Sequence, residues 1–315
     1  EQRMNDITTT ILKSINSVIA GKEAVVEKVL MAILSGGHVL LEDVPGVGKT
    51  TLAVSFARTL GLDTRRVQFT SDTMPSDILG FSVYNRDTGN FDYKPGAVMT
   101  NLLLADEINR TSSKTQSALL EAMEEYQVTV DGHTYPLPKP FVVLATQNPV
   151  GSAGTQLLPS SQLDRFMIRT TMGYPDRQSQ VDILRERHHE NPLDRLQGVV
   201  TCEELLELIE SAKQVHIADA VYDYIVDLVD ATRSSELVEL GVSPRGALAL
   251  CRMAKAHAFV RGGDFVTPED VYQVFDDVCA HRLVLSAKAR LGKITAREIT
   301  EQLRQQVPVP QVAQL

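Results

Sequence analysis

Apolar positions in the first two thirds of the chain fall into two alternating kinds of run. Residues 11–34 carry apolar side chains at helical spacing (Ile11, Ile15, Val18, Ile19, then Val25, Val26, Val29, Leu30), interrupted at Gly21. Five short aliphatic runs follow, at 38–41, 66–69, 102–105, 141–145 and 166–171. None alternates strictly between polar and apolar, which is how strands buried on both faces of a parallel sheet read. Helical patterns at 49–60 and 113–124 separate them. That rhythm predicts a doubly wound α/β core with five parallel strands.

Two stretches break the rhythm. Residues 79–98 contain YNRDTGNFDYKPG, turn-rich and flanked by aromatics, and residues 128–137 read VTVDGHTYPL, alternating around Asp131-Gly132. Both predict inserted hairpins. After MGYPD (172–176) the strand signals stop and helix starts take over. Thr201 to Glu204 fits a capping box, while Ser243-Pro244 and Thr267-Pro268 each put an N-cap before a first-turn proline. The pattern divides the chain into an α/β core at 1–176, an all-helical second domain at 177–305 and a frayed tail at 306–315.

Composition narrows the function classes. The 315 residues are 43% hydrophobic and 23% charged, ordinary for a globular chain. A net charge of −9 provides no global field for holding nucleic acid. Cys202, Cys251 and Cys279 are scattered and form no C-x-x-C pair, as in a reduced compartment. No apolar run approaches membrane-spanning length and no secretory signal is evident, which makes the cytoplasm the expected location. The adjacent His188-His189 pair lacks metal-ligand spacing and reads as helix surface.

The segment LLEDVPGVGKTTLA (40–53) is nearly a phosphate-binding loop. The pattern G-x-x-x-x-G-K-[ST] asks for a glycine where this chain has Asp43. Its context is otherwise right: a buried strand, a glycine-bearing turn, then a helix whose N-terminus favours anions. Val44, Pro45, Gly46, Val47, Gly48, Lys49, Thr50 and Thr51 would form the cradle, with Lys49 on the β/γ oxygens and Thr50 on Mg²⁺. Asp43 sits where the strand ends, and aspartate tolerates unusual backbone angles there. Its carboxylate is expected to point away from the phosphates, so Asp43→Gly would barely change nucleotide affinity.

A second anchor is NLLLADEINR (101–110), a buried strand ending in two acids. Asp106 can hold Mg²⁺, and Glu107 can polarise the attacking water as a general base. In FVVLATQNP, Asn148 would stand beside Asp106 if the two strands are neighbours, and could orient that water. Arg165, in LLPSSQLDRF, is placed to act as an arginine finger on a neighbouring subunit's nucleotide. Arg245, in VSPRGALAL, occupies a first helical turn, where it opposes the helix dipole. That cost favours a charge-neutralising role, such as contacting the γ-phosphate across the cleft between domains.

With those residues in order, the chain strongly resembles the MoxR family of AAA+ ATPases over about residues 5–300. GHVLLEDVPGVGKTTLA is similar to its Walker A segment, LLLADEINR to Walker B, VLATQNP to sensor 1, LLPSSQLDRF to the arginine-finger segment and SPRGAL to sensor 2 of the helical lid. The resemblance implies a P-loop AAA+ core with a five-stranded parallel sheet, hairpin inserts near 79–98 and 128–137 facing a ring channel, and a helical lid. It implies ATP and Mg²⁺ as ligands, Gly21 near the adenine, and E-D before V-P-G as a family variant. It also implies self-association into a ring of six and remodelling or activation of client proteins, often with von Willebrand factor A domain partners.

Two other functions fit parts of the chain. A nucleic-acid remodelling ring would need basic hairpins. The first insert sets Arg86 and Lys94 against Asp87 and Asp92, and the second has one acid and no Lys or Arg. A nucleotide-controlled binding module with little turnover would not need Glu107. A small-molecule kinase would need an acceptor domain where the lid-like helices stand.

Overall fold

The structure is a computed structural model that describes residues 2–43, 46–148, 154–155, 157–186 and 191–311. Val44, Pro45, the His188-His189 pair and the last four residues of the tail lie outside the described residues. Two helices open the chain, α1 (Gln2–Asn16) and α2 (Glu23–Leu34), followed by β1 (Val39–Glu42), α3 (Lys49–Thr59) and β2 (Thr64–Gln68). A short α4 (Pro75–Leu79) leads into the first hairpin, β3 (Gly80–Asn85) and β4 (Asn90–Pro95). Then come β5 (Leu102–Asp106), α5 (Ser113–Glu125), the second hairpin β6 (Gln127–Val130) and β7 (His133–Pro136), β8 (Val142–Gln147), α6 (Ser160–Leu163) and β9 (Ile168–Thr170).

The five predicted core strands form one sheet in the order β2-β5-β8-β1-β9, with every pairing parallel. Alternate residues of its inner strands enter two separate apolar clusters. Leu41, Leu104 and Leu144 face α1–α3 and the helices that follow β9, whereas Leu40, Leu103 and Val143 face α4, α5 and the hairpins. This is why those runs show no polar alternation. His38 ties three elements together beneath the second cluster: its Nε2 lies 3.0 Å from the Met123 carbonyl at the end of α5, and its Nδ1 accepts the Val143 amide of β8.

One strand departs from expectation. β2 is an edge strand, and Thr64, Arg65, Arg66 and Gln68 are exposed rather than buried on both faces. Its aliphatic content is slight, and the sheet covers only one side of it.

Beyond β9 lie α7 (Arg177–Glu186), α8 (Cys202–Lys213), α9 (Asp219–Ser234), β10 (Val238–Leu240), α10 (Pro244–Val260), α11 (Pro268–Cys279), β11 (Val284–Leu285), α12 (Ala287–Leu291) and α13 (Ala296–Gln306). The capping boxes at Thr201 and Thr267 and the Ser243 cap all form. The region is not free of strands, however: β10 and β11 pair antiparallel. Three residues and two are too few to leave a periodic signal in the sequence. The helices share the apolar cluster of α1 and α2, and Lys28–Asp277 (3.2 Å) and Arg261–Glu27 (2.7 Å) bridge the two parts.

Both hairpins form, and they lean on each other. Tyr93 of β4 stacks on Tyr135 of β7 with ring centroids 3.9 Å apart and planes 9° from parallel. Further out, Tyr84 and Phe91 pair edge to face and stay largely exposed.

Candidate active site

The turn between β1 and α3 explains itself from Gly46 and Gly48. Their φ angles are +85° and +94°, the left-handed region that favours glycine, and a Cβ on either would meet no atom within 4 Å. A side chain there would project into an open cleft of about 740 Å³. Gly48 caps α3 without any side-chain hydrogen bond, so no side chain competes for the first N–H groups of that helix, whose opening residues line the cleft. Lys49 is buried, and among the described residues its Nζ meets the Asp43 carbonyl at 3.4 Å. Val47, Thr50 and Thr51 line the same cleft. A buried ammonium with a distant acceptor, uncapped N–H groups and two bare glycines fit a polyphosphate.

Asp43 has another task. Its amide continues the sheet by donating to the Gln147 carbonyl at 3.3 Å, and its φ is not positive. The expected backbone irregularity is therefore absent. The carboxylate turns toward the exit of β9, where it accepts the amides of Met172 and Gly173. Aspartate is needed here for its side chain.

At the next strands the acids meet. β5 pairs with β8, so Asp106 and Glu107 stand beside Thr146. The Thr146 hydroxyl donates to Asp106 Oδ1 at 2.6 Å and accepts the Glu107 amide at 2.9 Å. Glu107 holds a left-handed backbone (φ 57°, ψ 50°), a strained conformation for glutamate and one that gathers at functional sites. Its Oε2 accepts from Gln68 Nε2 at 2.8 Å and Arg110 Nη1 at 2.9 Å. Arg66 donates to Asp106 Oδ2 at 2.8 Å. Thr50 and Asp106 are thus the residues that would hold a divalent cation, with Asp106 offering a carboxylate oxygen at the cleft.

Asn148 lies one residue past β8; the strands are neighbours as expected, but Thr146 and not Asn148 takes the place beside Asp106. It exchanges hydrogen bonds with Asn109 through its main chain, at 3.3 and 3.4 Å, and its own Oδ1 is buried without a partner. Val18, Ile19 and Ala20 also line the cleft, as do Ile183 and Leu184 of α7. Gly21, the next residue, does not line it: a Cβ there would lie 2.4 Å from Ser179 Oγ, so the glycine lets this turn pack on α7.

Comparisons with known proteins agree with this geometry. A family profile described as "ATPase family associated with various cellular activities (AAA)" matches residues 38–168, and an AAA lid domain profile matches 230–303. A protein named Chaperone MoxR1 from Mycobacterium tuberculosis is 41% identical, covering 95% of this chain and 81% of the relative. The chain belongs to the MoxR family of AAA+ ATPases. An uncharacterized Bacillus subtilis protein, YeaC, is 44% identical over 98% of this chain and 97% of its own. A crystal structure from Cytophaga hutchinsonii, described only provisionally as an ATPase, superposes with a TM-score of 0.91 at 38% identity, covering 98% of this chain and 97% of that one.

The two arginines of this MoxR-family chain occupy a different cleft. Arg165 and Arg245 both pair with Glu124 at the end of α5, Arg165 Nε at 3.1 Å from Oε2 and Arg245 on Oε1. That cleft, about 400 Å³, shares no lining residue with the P-loop cleft. The role across its own nucleotide cleft expected of Arg245 is therefore corrected: α10 carries it to the Arg165 side. Asp164 does not neutralise Arg165 either, because Arg282 (2.6 Å) and Ser243 (3.1 Å) take its carboxylate. No motif or spacing marked Arg66, Gln68, Arg110, Glu124 or Thr146 as members of these sites. Only the spacing of Arg66 and Gln68, which puts both on one face of β2, could have suggested a paired role.

Proposed function

We propose that this MoxR-type ATPase hydrolyses ATP to ADP and phosphate in the cleft between the P-loop and α7. Lys49 and the amides at the start of α3 bind the phosphates, and Thr50 and Asp106 hold Mg²⁺, which supplies charge neutralisation. Glu107 takes the proton of the attacking water, and Asn148, just past the end of β8, helps orient that water through its unpartnered Oδ1. The observation that carries this reading is the Asp106–Glu107 pair, fixed by Thr146 at the strand end next to the phosphate cradle. Gln68 and Arg110 hold the Glu107 carboxylate in the isolated chain, which favours slow turnover until assembly frees it.

Arg165 and Arg245 stand together away from their own nucleotide, and they act on the nucleotide of a neighbouring subunit, neutralising charge in the transition state. A head-to-tail contact of that kind closes into a ring, for which six subunits is the family's expectation. The boundary between core and lid falls at 176/177, so that α7 roofs the nucleotide from the lid side. The cycle drives remodelling or activation of a client protein, consistent with a relative named as a chaperone, and a von Willebrand factor A domain partner fits the family. The hairpins, with exposed Tyr84 and Phe91, are the surfaces offered to that client.

The test is Glu107→Gln. Nucleotide binding should be retained while hydrolysis falls by about 10²- to 10⁴-fold. Unchanged steady-state hydrolysis in that variant would remove Glu107 from the mechanism.

A further inference from the structure

Edge strand β2 places an arginine against the carboxylate that the metal needs. Asp106 is buried, with 8% of its surface exposed, and a buried carboxylate requires a partner. Oδ1 is taken by the Thr146 hydroxyl. Oδ2 is left for a cation, and in the chain alone it receives Arg66 Nη2 at 2.8 Å. The approach is fixed by register: Gln68 pairs with Asp106 across the strands and Arg66 with Leu104, so the Arg66 side chain reaches forward along the open sheet edge. Its Nη2 also touches Gln68 Oε1 at 3.3 Å, which joins it to the group that holds Glu107. Half of the Arg66 side chain (52%) faces solvent in the P-loop cleft, so it can leave without opening the core.

We propose that Arg66 is the resident counter-ion of the metal-binding carboxylate: it neutralises Asp106 Oδ2 in the metal-free chain and gives that oxygen up to a divalent cation. Arg66 is thus a positioning residue for metal loading, because it pairs with Asp106 Oδ2 and must leave before a cation can take that oxygen. A fixed surface ion pair would look the same in this geometry but would not compete with metal. The proposal rests on the nucleotide cleft described above and extends it to the order in which the site fills.

The experiment titrates Mg²⁺ against the full chain with a fluorescent ADP analogue, following anisotropy, for the wild type, Arg66→Gln and Arg66→Lys. Removing a half-exposed ion pair should lower the Mg²⁺ half-saturation by about 2- to 5-fold in Arg66→Gln. Arg66→Lys should keep most of the competition. A second readout is thermal melting: Arg66→Gln should melt below the wild type in EDTA, and the gap should close under saturating Mg²⁺ and ADP. An unchanged or raised Mg²⁺ midpoint, or a melting gap that persists with metal, overturns the proposal while leaving the nucleotide site intact. Failure of every form, wild type included, to bind the nucleotide with Mg²⁺ would overturn both.

Discussion

Asp43→Gly restores the glycine that the phosphate-loop pattern asks for, and the structure predicts that it harms the protein. The buried Asp43 carboxylate is the acceptor for two amides, Met172 and Gly173, which join the end of β1 to the end of β9. Removing it orphans the buried Met172 N–H and the half-buried Gly173 N–H at about 1–3 kcal/mol each, and a new glycine adds up to about 1 kcal/mol of lost backbone restriction. The total is about 2–7 kcal/mol. For 315 residues, unfolding entropy scales so that each kcal/mol shifts melting by about 1.5 °C, giving a drop of about 3–10 °C. Asp43→Asn keeps one acceptor and should lose about half as much. Affinity for Mg·ADP, measured by calorimetry below the melting transition, should stay within about threefold, because the carboxylate faces β9 and only the Asp43 carbonyl touches Lys49. An unchanged melting temperature would refute the clamp. A tenfold gain in nucleotide affinity would show instead that the acid repels phosphate.

Two further outcomes follow from side chains at the margins of the site. Glu124→Gln should weaken the hold on Arg165 and Arg245 and shift nucleotide-dependent assembly, read by sedimentation velocity, to a few-fold lower protein concentration; no shift would mean that Glu124 does not restrain them. Burial lowers the His38 pKa to about 4, and the Met123 carbonyl opposes this only in part. The unfolded chain therefore takes up a proton near pH 6.5 that the folded chain refuses, and stability present above pH 6.5 should fall by about 3 kcal/mol as pH drops toward 4. His281, lowered chiefly by burial and then by Arg282, should add to the same loss. Urea unfolding against pH checks this, and a His38→Gln variant with the same acid slope would remove His38 as a cause.

The strand–helix rhythm was legible because inner strands must bury both faces, and Leu102 to Ala105 or Val142 to Ala145 can satisfy that in only a few ways. Glycine positions in the P-loop were legible for a similar reason, since positive φ at Gly46 and Gly48 restricts residue choice directly. Partnerships were not. Whether Arg66 meets Asp106 depends on the register of β2 against β5, and the apolar content of β2 is too slight to state it. Arg245 misled for a related reason. Its place in the first turn of α10 was readable, but the path that carries α10 to the Glu124 side depends on packing among α2, α8 and α11, spread over the length of the chain.

The two clefts divide the labour in a way that makes a lone chain an incomplete catalyst on the proposed mechanism. One cleft is lined by Lys49, Thr50, Asp106 and Glu107, with Glu107 tied to Gln68 and Arg110. The other holds the two free-standing arginines, tied to Glu124. Each tie leaves a charged group neutralised within one chain, and each must break for the group to serve phosphate or water. On that mechanism a neighbour's nucleotide would offer Arg165 and Arg245 a denser negative charge than one carboxylate, and would favour assembly where nucleotide is bound. β2, which carries Arg66 and Gln68, runs on through Thr70 and α4 into the first hairpin. On the proposed mechanism, release of the two acids would therefore be felt on the strand that leads to the exposed aromatics of the first hairpin.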